Sequence, residues 1–432
     1  MTWRYLSGNT ASFAVELALI ADDTDDWMID ADERASWGAL ALWVDGVNVC
    51  EHTVQGETLR FAHWYLLPIA EWLIENWDPL LHEERLPVAS AGATAARGVV
   101  RAAVLGELDA NSGRGTEVAE ALQSWHERHS LRAGAQGGIL PEFYIRRYGD
   151  NVEFSTGTEQ VAGEDWGVAF SQHPQAARLP VSEVATAVGD ALESLAAVLL
   201  KRDPDSVRYR SLAEQTRTLD DPGREPARFA WLSGAGDRLA EFGQLWQEVQ
   251  TAIPAELRQE LTRFAPPPAV GPRLVATAPP AALLFGSLAP DVSADDVVAL
   301  YTSLIAGSGE PRITEKLRSI GAELLASWSD VGISPGEQGS IYGEEAWRTL
   351  AEHQKAPECD IEKILAELGI AIDEVDLRDR SVRAVSMVGV DGTARIVVNR
   401  SFRLGTGQPV KRFTLAHELG HLLLDQDRAS RM

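Results

Sequence analysis

The sequence predicts an α+β protein of several folding units: a mixed N-terminal unit, a helical middle, and a C-terminal small sheet with one long helix. Three observations carry that expectation. The chain has 432 residues, whereas one domain usually holds roughly 100–200. Alternating β-branched and aromatic runs dominate its first part, and Ala/Leu/Glu/Arg-rich segments with a period near 3.6 follow them. Hydrophobic residues make up 45% of the chain and charged residues 24%, which is the composition of a folded globular protein and not of a disordered one.

The elements follow in order. Ser12–Ala21 (SFAVELALIA) and Trp37–Val49 (WGALALWVDGVNV) alternate partly in polarity and predict strands on either side of an Asp-rich loop. Phe61–Trp77 (FAHWYLLPIAEWLIENW) carries apolar and aromatic residues at helical spacing and predicts a buried helix with Pro68 as a candidate kink. Trp64, Trp72 and Trp77 belong to thirteen tryptophans spread over the chain, and they read as large core residues. His126-Glu127-Arg128-His129 reads as the solvated face of a polar helix, without a metal. Ala133–Phe143 is loop-like, Tyr144–Thr156 and Trp166–Ser171 predict two more short strands, and the first unit is expected to span 1–175.

Residues 176–264 are expected to be helical on the strength of VSEVATAVGDALESLAAVLL and GDRLAEFGQLWQEVQTAI. Ala265–Ala282 holds six prolines, which fix φ and remove donors, so 265–282 predicts a linker. A second helical stretch is expected over 283–340, with Ser293–Ile305 capped by Ser293, then Glu315–Trp328, and a loop-like break at Ser334–Gly339 (SPGEQG). Two consecutive helices do not make a helix-turn-helix here. The joining segment AGSGEPRI is too long for the tight turn, and the second helix has few basic residues.

Composition excludes several classes of function. Lys plus Arg (39) against Asp plus Glu (64) gives a net charge of −25, a field that repels phosphate backbones, so direct nucleic-acid binding is not expected. Cys50 and Cys359 are the two cysteines and neither sits in a CxxC or Cys/His cluster, which excludes a disulfide scaffold. The N-terminal MTWRYLSGNTASF lacks the pattern of a signal peptide, and no run approaches the ~18 apolar residues of a membrane span. A cytoplasmic location is the expectation.

The chemistry lies near the end of the chain. KRFTLAHELGHLLL predicts a helix behind Pro409 that contains His417-Glu418-Leu419-Gly420-His421, an HExxH pattern. Residues four apart share a helix face about 5–6 Å apart, so His417 and His421 can offer imidazole nitrogens to one ion, with zinc the natural choice. Glu418 stands beside them as the candidate general base, taking a proton from an attacking water and passing it to a leaving amine. Upstream, Asp360–Leu368 predicts a short helix with an Asp cap that ends at Gly369. Ala371–Leu377, Val382–Val390 and Ala394–Asn399 predict three strands, the last two joined by Asp391-Gly392, a strong hairpin signal. Helix, small sheet and metal-binding helix form the plan of a compact zincin-like domain. An exposed edge strand there can bind an extended peptide, and Ala394–Asn399 is the expected edge.

In its order of DIEKILAELGIAIDEVDL, a hairpin ending IVVN, and RFTLAHELGHLLL, the stretch from about Tyr342 to Met432 resembles the ImmA/IrrE metallopeptidases. The resemblance implies an ImmA/IrrE-like peptidase domain over 341–432, belonging to a family of cytoplasmic bacterial zinc peptidases. Its known members typically cleave helix-turn-helix repressors and so release stress-response or mobile-element genes. It further implies that His417 and His421 bind zinc and that Glu418 is the base. The family draws its third protein ligand from an acidic residue on a later helix, some tens of residues on. Here 432 − 421 leaves eleven residues after His421. Asp425 lies eight residues from His417, about 12 Å along a continued helix and too far to share its ion. Asp427 falls where HExxHxxGxxD peptidases place an aspartate, but Leu424 replaces the turn-making Gly. The domain is therefore expected to be incomplete at its C-terminal end, with the first ~340 residues serving as sensor, substrate selector or inhibitory partner. The alternative is a catalytically incomplete interaction or sensor protein on a peptidase-like fold.

Overall fold

A computed structural model describes residues 3–21, 29–86, 94–99, 113–134, 140–141, 143–156, 161–162, 168–170, 176–233, 236–255, 292–306, 315–326, 335–351, 360–380, 382–388, 394–402 and 408–424. Helices and several small sheets together give a mixed α+β chain. It divides into two compact units, the first running to Trp231 and the second from Leu232 onward. The proline-rich 265–282 lies outside the described residues, as do Asp391, Gly392, Asp425 and Asp427.

The first unit opens with β1 (Trp3–Gly8), β2 (Phe13–Leu19), β3 (Trp37–Val44) and β4 (Val47–Asn48), an antiparallel run in that order. Every residue of β2 is buried, so the partial alternation in SFAVELALIA understated a strand covered on both faces. Asp45 and Gly46 close the β3–β4 hairpin with φ of 52° and 79°, the two left-handed positions that an Asp-Gly turn supplies. Between β2 and β3, Asp30 caps the short α1 (Ala31–Ala35) by accepting from the amides of Asp32 and Glu33. Two small strands, β5 (His52–Val54) and β6 (Glu57–Leu59), belong to a second sheet.

Phe61–Trp77 is not one helix. Ala62–Tyr65 forms β7, paired antiparallel to β3, and α2 (Leu66–Glu75) begins only at Leu66. Pro68 therefore stands in the first helical turn, where its missing N–H has no intrahelical partner to lose, and it kinks nothing. Trp72 and Trp77 are core residues as expected, and the Trp72 indole donates to the Glu127 carbonyl. After α3 (Trp77–His82) come α4 (Gly113–His129) and α5 (Leu131–Gly134). Tyr144–Thr156 is a hairpin of two strands, β8 (Phe143–Tyr148) and β9 (Asn151–Thr156), where a single strand was expected. Two further short strands, β10 (Val161–Ala162) and β11 (Val168–Phe170), join β5 and β6, while β12 (Ala176–Pro180) pairs with β9.

The first unit does not close near residue 175. The long α6 (Val181–Arg202) packs on β1 and β2 and buries Val184, Leu192, Leu195 and Leu199 against them. Helix α7 (Val207–Arg217) packs on α6 in turn, with Ser206 capping it through the Tyr209 amide. The composition changes at residue 176, but the core does not, because the sheet needs this helix to cover its apolar face.

His129 also departs from its expected place. It is fully buried, its ring stacks on Trp125 at 4.2 Å, and its Nε2 lies 2.9 Å from a Glu83 carboxylate oxygen. Arg128 donates to the same carboxylate at 3.0 and 3.2 Å. Burial pushes the Glu83 carboxyl up, but the His129 and Arg128 charges and hydrogen bonds outweigh it and hold the group below its ordinary value of 4.5. A carboxyl depressed in the folded state stabilises fully above its unfolded value and loses that contribution as pH falls through the folded one. Urea unfolding of wild type should thus weaken more steeply below pH 4.5 than unfolding of Glu83→Gln. Parallel pH profiles would show that the network contributes nothing there.

The second unit contains α9 (Leu239–Ala252), preceded in the chain by α8 (Glu225–Ser233), and then α10 (Ala294–Ala306), which packs on α9. Ser293 caps α10 as expected: its hydroxyl accepts from the Asp296 amide at 3.2 Å and donates to the Asp296 carboxylate at 2.9 Å. Helix α11 (Glu315–Ala326) matches its expected position. SPGEQG is not a break, since α12 (Pro335–Ala351) starts at Pro335. Proline is tolerated in a first turn, and the glycines behind it only weaken the helix.

Candidate metal centre

The helix α13 (Ile361–Glu367) begins and ends as its sequence says. Asp360 accepts from the Lys363 amide at 3.2 Å, and Gly369 takes φ 73° while Ile370 donates back to the Leu365 carbonyl at 2.8 Å. Three strands follow: β13 (Ala371–Val375), β14 (Ala384–Val388) and β15 (Ala394–Asn399). Their order is β13-β15-β14, with β15 parallel to β13 and antiparallel to β14. Ala394–Asn399 is therefore the central strand, which corrects its expected role as the edge. A near-continuous run such as ARIVVN suits a strand flanked on both sides, whereas AIDEV carries acids that suit an edge.

On the outer side of β14 no strand pairs among the described residues. Asn399 donates to the Arg383 carbonyl at 2.9 Å, which makes 383 and 399 a hydrogen-bonded pair. Alternation along an antiparallel ladder then turns the main-chain groups of Ala384, Ser386 and Val388 away from β15. Those groups are the ones an extended chain could pair with.

The loop behind β13 is braced from two sides. Asn399 accepts from the amides of Leu377 and Ser401 at 3.0 and 2.9 Å and donates to the carbonyls of Asp379 and Val382 at 2.9 and 2.8 Å. Asp296 of α10 accepts from the amides of Arg378 and Asp379 at 2.6 and 3.2 Å.

Helix α14 (Gln408–Leu424) lies against β14, β15, α11 and α13. Leu415, Leu419, Leu422 and Leu423 join Ile364, Leu365 and Ile396 in one apolar cluster. Lys411 pins the first turn, with its ammonium 3.2 Å from Glu362 of α13 and 3.5 Å from Glu374 of β13. The hydrogen bond that it donates to Glu362 is the main reason its pKa rises above 10.5.

The opposite face of α14 carries Phe413, Ala416, His417, Gly420 and His421. Both histidines are exposed, and their Nε2 atoms are 3.2 Å apart. Two nitrogens bound at about 2.05 Å to one tetrahedral ion stand about 3.3 Å apart, so the pair has the spacing of two zinc ligands. Phe413 is 66% exposed, and its ring lies nearly parallel to that of His417 at 6.3 Å. Among the described residues, a Cβ added at Gly420 would meet nothing within 4 Å, so none of them covers the surface beside the histidines.

Glu418 differs from its neighbours. It is buried, with 7% of its surface exposed. An HExxH helix with three buried polar groups would be costly, but only one of the three is buried here. Among the described residues no group of three His, Cys, Asp or Glu side chains could hold a metal ion. The histidine pair thus fits two of the three protein ligands that a catalytic zinc takes, and the described residues do not supply the third. Also among the described residues, no helix is long and apolar enough to cross a membrane.

No protein family, curated protein or solved structure matches this chain.

Proposed function

We propose that the chain is a zinc-dependent endopeptidase of regulatory type, with a zincin-like domain over 341–432. The 3.2 Å separation of the His417 and His421 Nε2 atoms on one exposed helix face is the observation that carries it. His417 and His421 would hold the metal, which when bound would supply Lewis-acid activation of a water and of the scissile carbonyl. Lys411 and the leucines beneath α14 hold the helix so that its histidine face stays outward. Glu418 accepts the proton of the attacking water and delivers it to the departing amine nitrogen. The substrate is a protein segment in extended form, hydrogen-bonded to the outward groups of Ala384, Ser386 and Val388 on β14. Resemblance to ImmA/IrrE peptidases points to a helix-turn-helix repressor as that substrate and to the bacterial cytoplasm as the setting.

Elemental analysis of the purified chain tests the metal. We expect about one zinc per chain, lost in His417→Ala and in His421→Ala. A wild-type chain that takes up no zinc when dialysed against it rejects the peptidase reading.

A second reading rests on the absence of a third ligand among the described residues: a catalytically incomplete protein that uses the edge of β14 to bind a partner. It predicts partner capture without cleavage, even with zinc in excess.

A further inference from the structure

The first unit holds a cavity of about 50 Å³. Its lining is drawn from β2, β3, α2, α3, α5, β8, β9 and α6, with Val15, Leu42, Ile69, Trp77, Val184 and Ala191 among the side chains. No polar surface faces it. Interiors of this kind pack with few voids larger than a water molecule, and a void without polar partners stays dry.

We propose that this cavity is a binding site for a small, uncharged, apolar molecule. Size and lining define the ligand class. A dry apolar cavity of about 150 Å³ accepts benzene, so 50 Å³ suits a smaller occupant, of the size of xenon or a short alkyl group. Charged and strongly polar solutes are rejected, because the lining offers nothing to replace their water. A ligand of about three non-hydrogen atoms reaches at best about 1 mM affinity, so the site answers to an abundant solute and not to a scarce one. Occupancy would tie the β1–β4 sheet, the β8–β9 hairpin and α6 together, since all three contribute wall.

Xenon is the probe. Methyl spectra of the intact chain are recorded with and without xenon pressure, alongside thermal unfolding. The expected result is saturable shifts confined to methyls of Leu192, Leu195, Val15 and their neighbours, with a Tm raised by one to a few degrees. Ala191→Val narrows the cavity and should remove both responses; Val184→Ile does the same with a single added carbon, should the first variant fold poorly. Shifts that are absent, that do not saturate, or that persist unchanged in both variants overturn the proposal. So does a bound water detected in the cavity by its nuclear Overhauser effects to these methyls.

Discussion

Glu418→Gln is expected to retain zinc and to lower peptide hydrolysis by about 100- to 10,000-fold, the usual worth of a general acid–base group. The amide keeps the size and shape of the carboxylate but cannot take the proton of the attacking water. His417→Ala should differ by losing zinc and activity together, which separates the two roles in one experiment. A variant as active as wild type would remove Glu418 from the reaction. One that is inactive and also less stable would mean that the carboxylate holds the helix in place.

Asn399→Asp should destabilise the second unit by about 3 kcal/mol or more at pH 7. The two acceptor bonds of Asn399, from Leu377 and Ser401, survive the change. Its two donor bonds do not, and a carboxylate oxygen would then face the carbonyls of Asp379 and Val382 at about their present 2.9 and 2.8 Å. Each buried group left unsatisfied costs about 1–3 kcal/mol, and more where a charge is involved. Protonating the introduced acid restores one donor, so part of the lost stability should return as pH falls toward 4. Denaturant unfolding from pH 4 to 7 measures both. A loss below about 1 kcal/mol, or one independent of pH, would show that the loop over 376–383 does not depend on this side chain.

Much of the candidate site is legible in the sequence alone. Ser293, Asp360 and Gly369 mark helix ends through bonds made within five residues, and His417, Glu418 and His421 share a helix whose period puts both histidines on one face. Asn399 was visible only as the last letter of IVVN, and its four hydrogen bonds reach residues up to 22 positions away. Lys411 was one of two basic residues at a helix start, and nothing local distinguishes it from Arg412. The carboxylates that hold it come from α13 and β13.

By itself the sequence determined the α+β class, the caps of α10 and α13, the three C-terminal strands and the spacing of the histidine pair. All of these are set by local periodicity, by capping chemistry or by composition. Tertiary structure alone decided that β15 is central and β14 the edge, because strand order depends on which strand returns between the others and not on the order in the chain. It decided that Phe61–Trp77 splits into a strand and a helix, since β3 offers Ala62–Tyr65 a ladder that outweighs their helical spacing. It also decided that the first unit takes α6 as the cover of its sheet and draws His129 inward to Glu83, because an apolar sheet face and a buried carboxylate each require a partner that only the folded chain can bring.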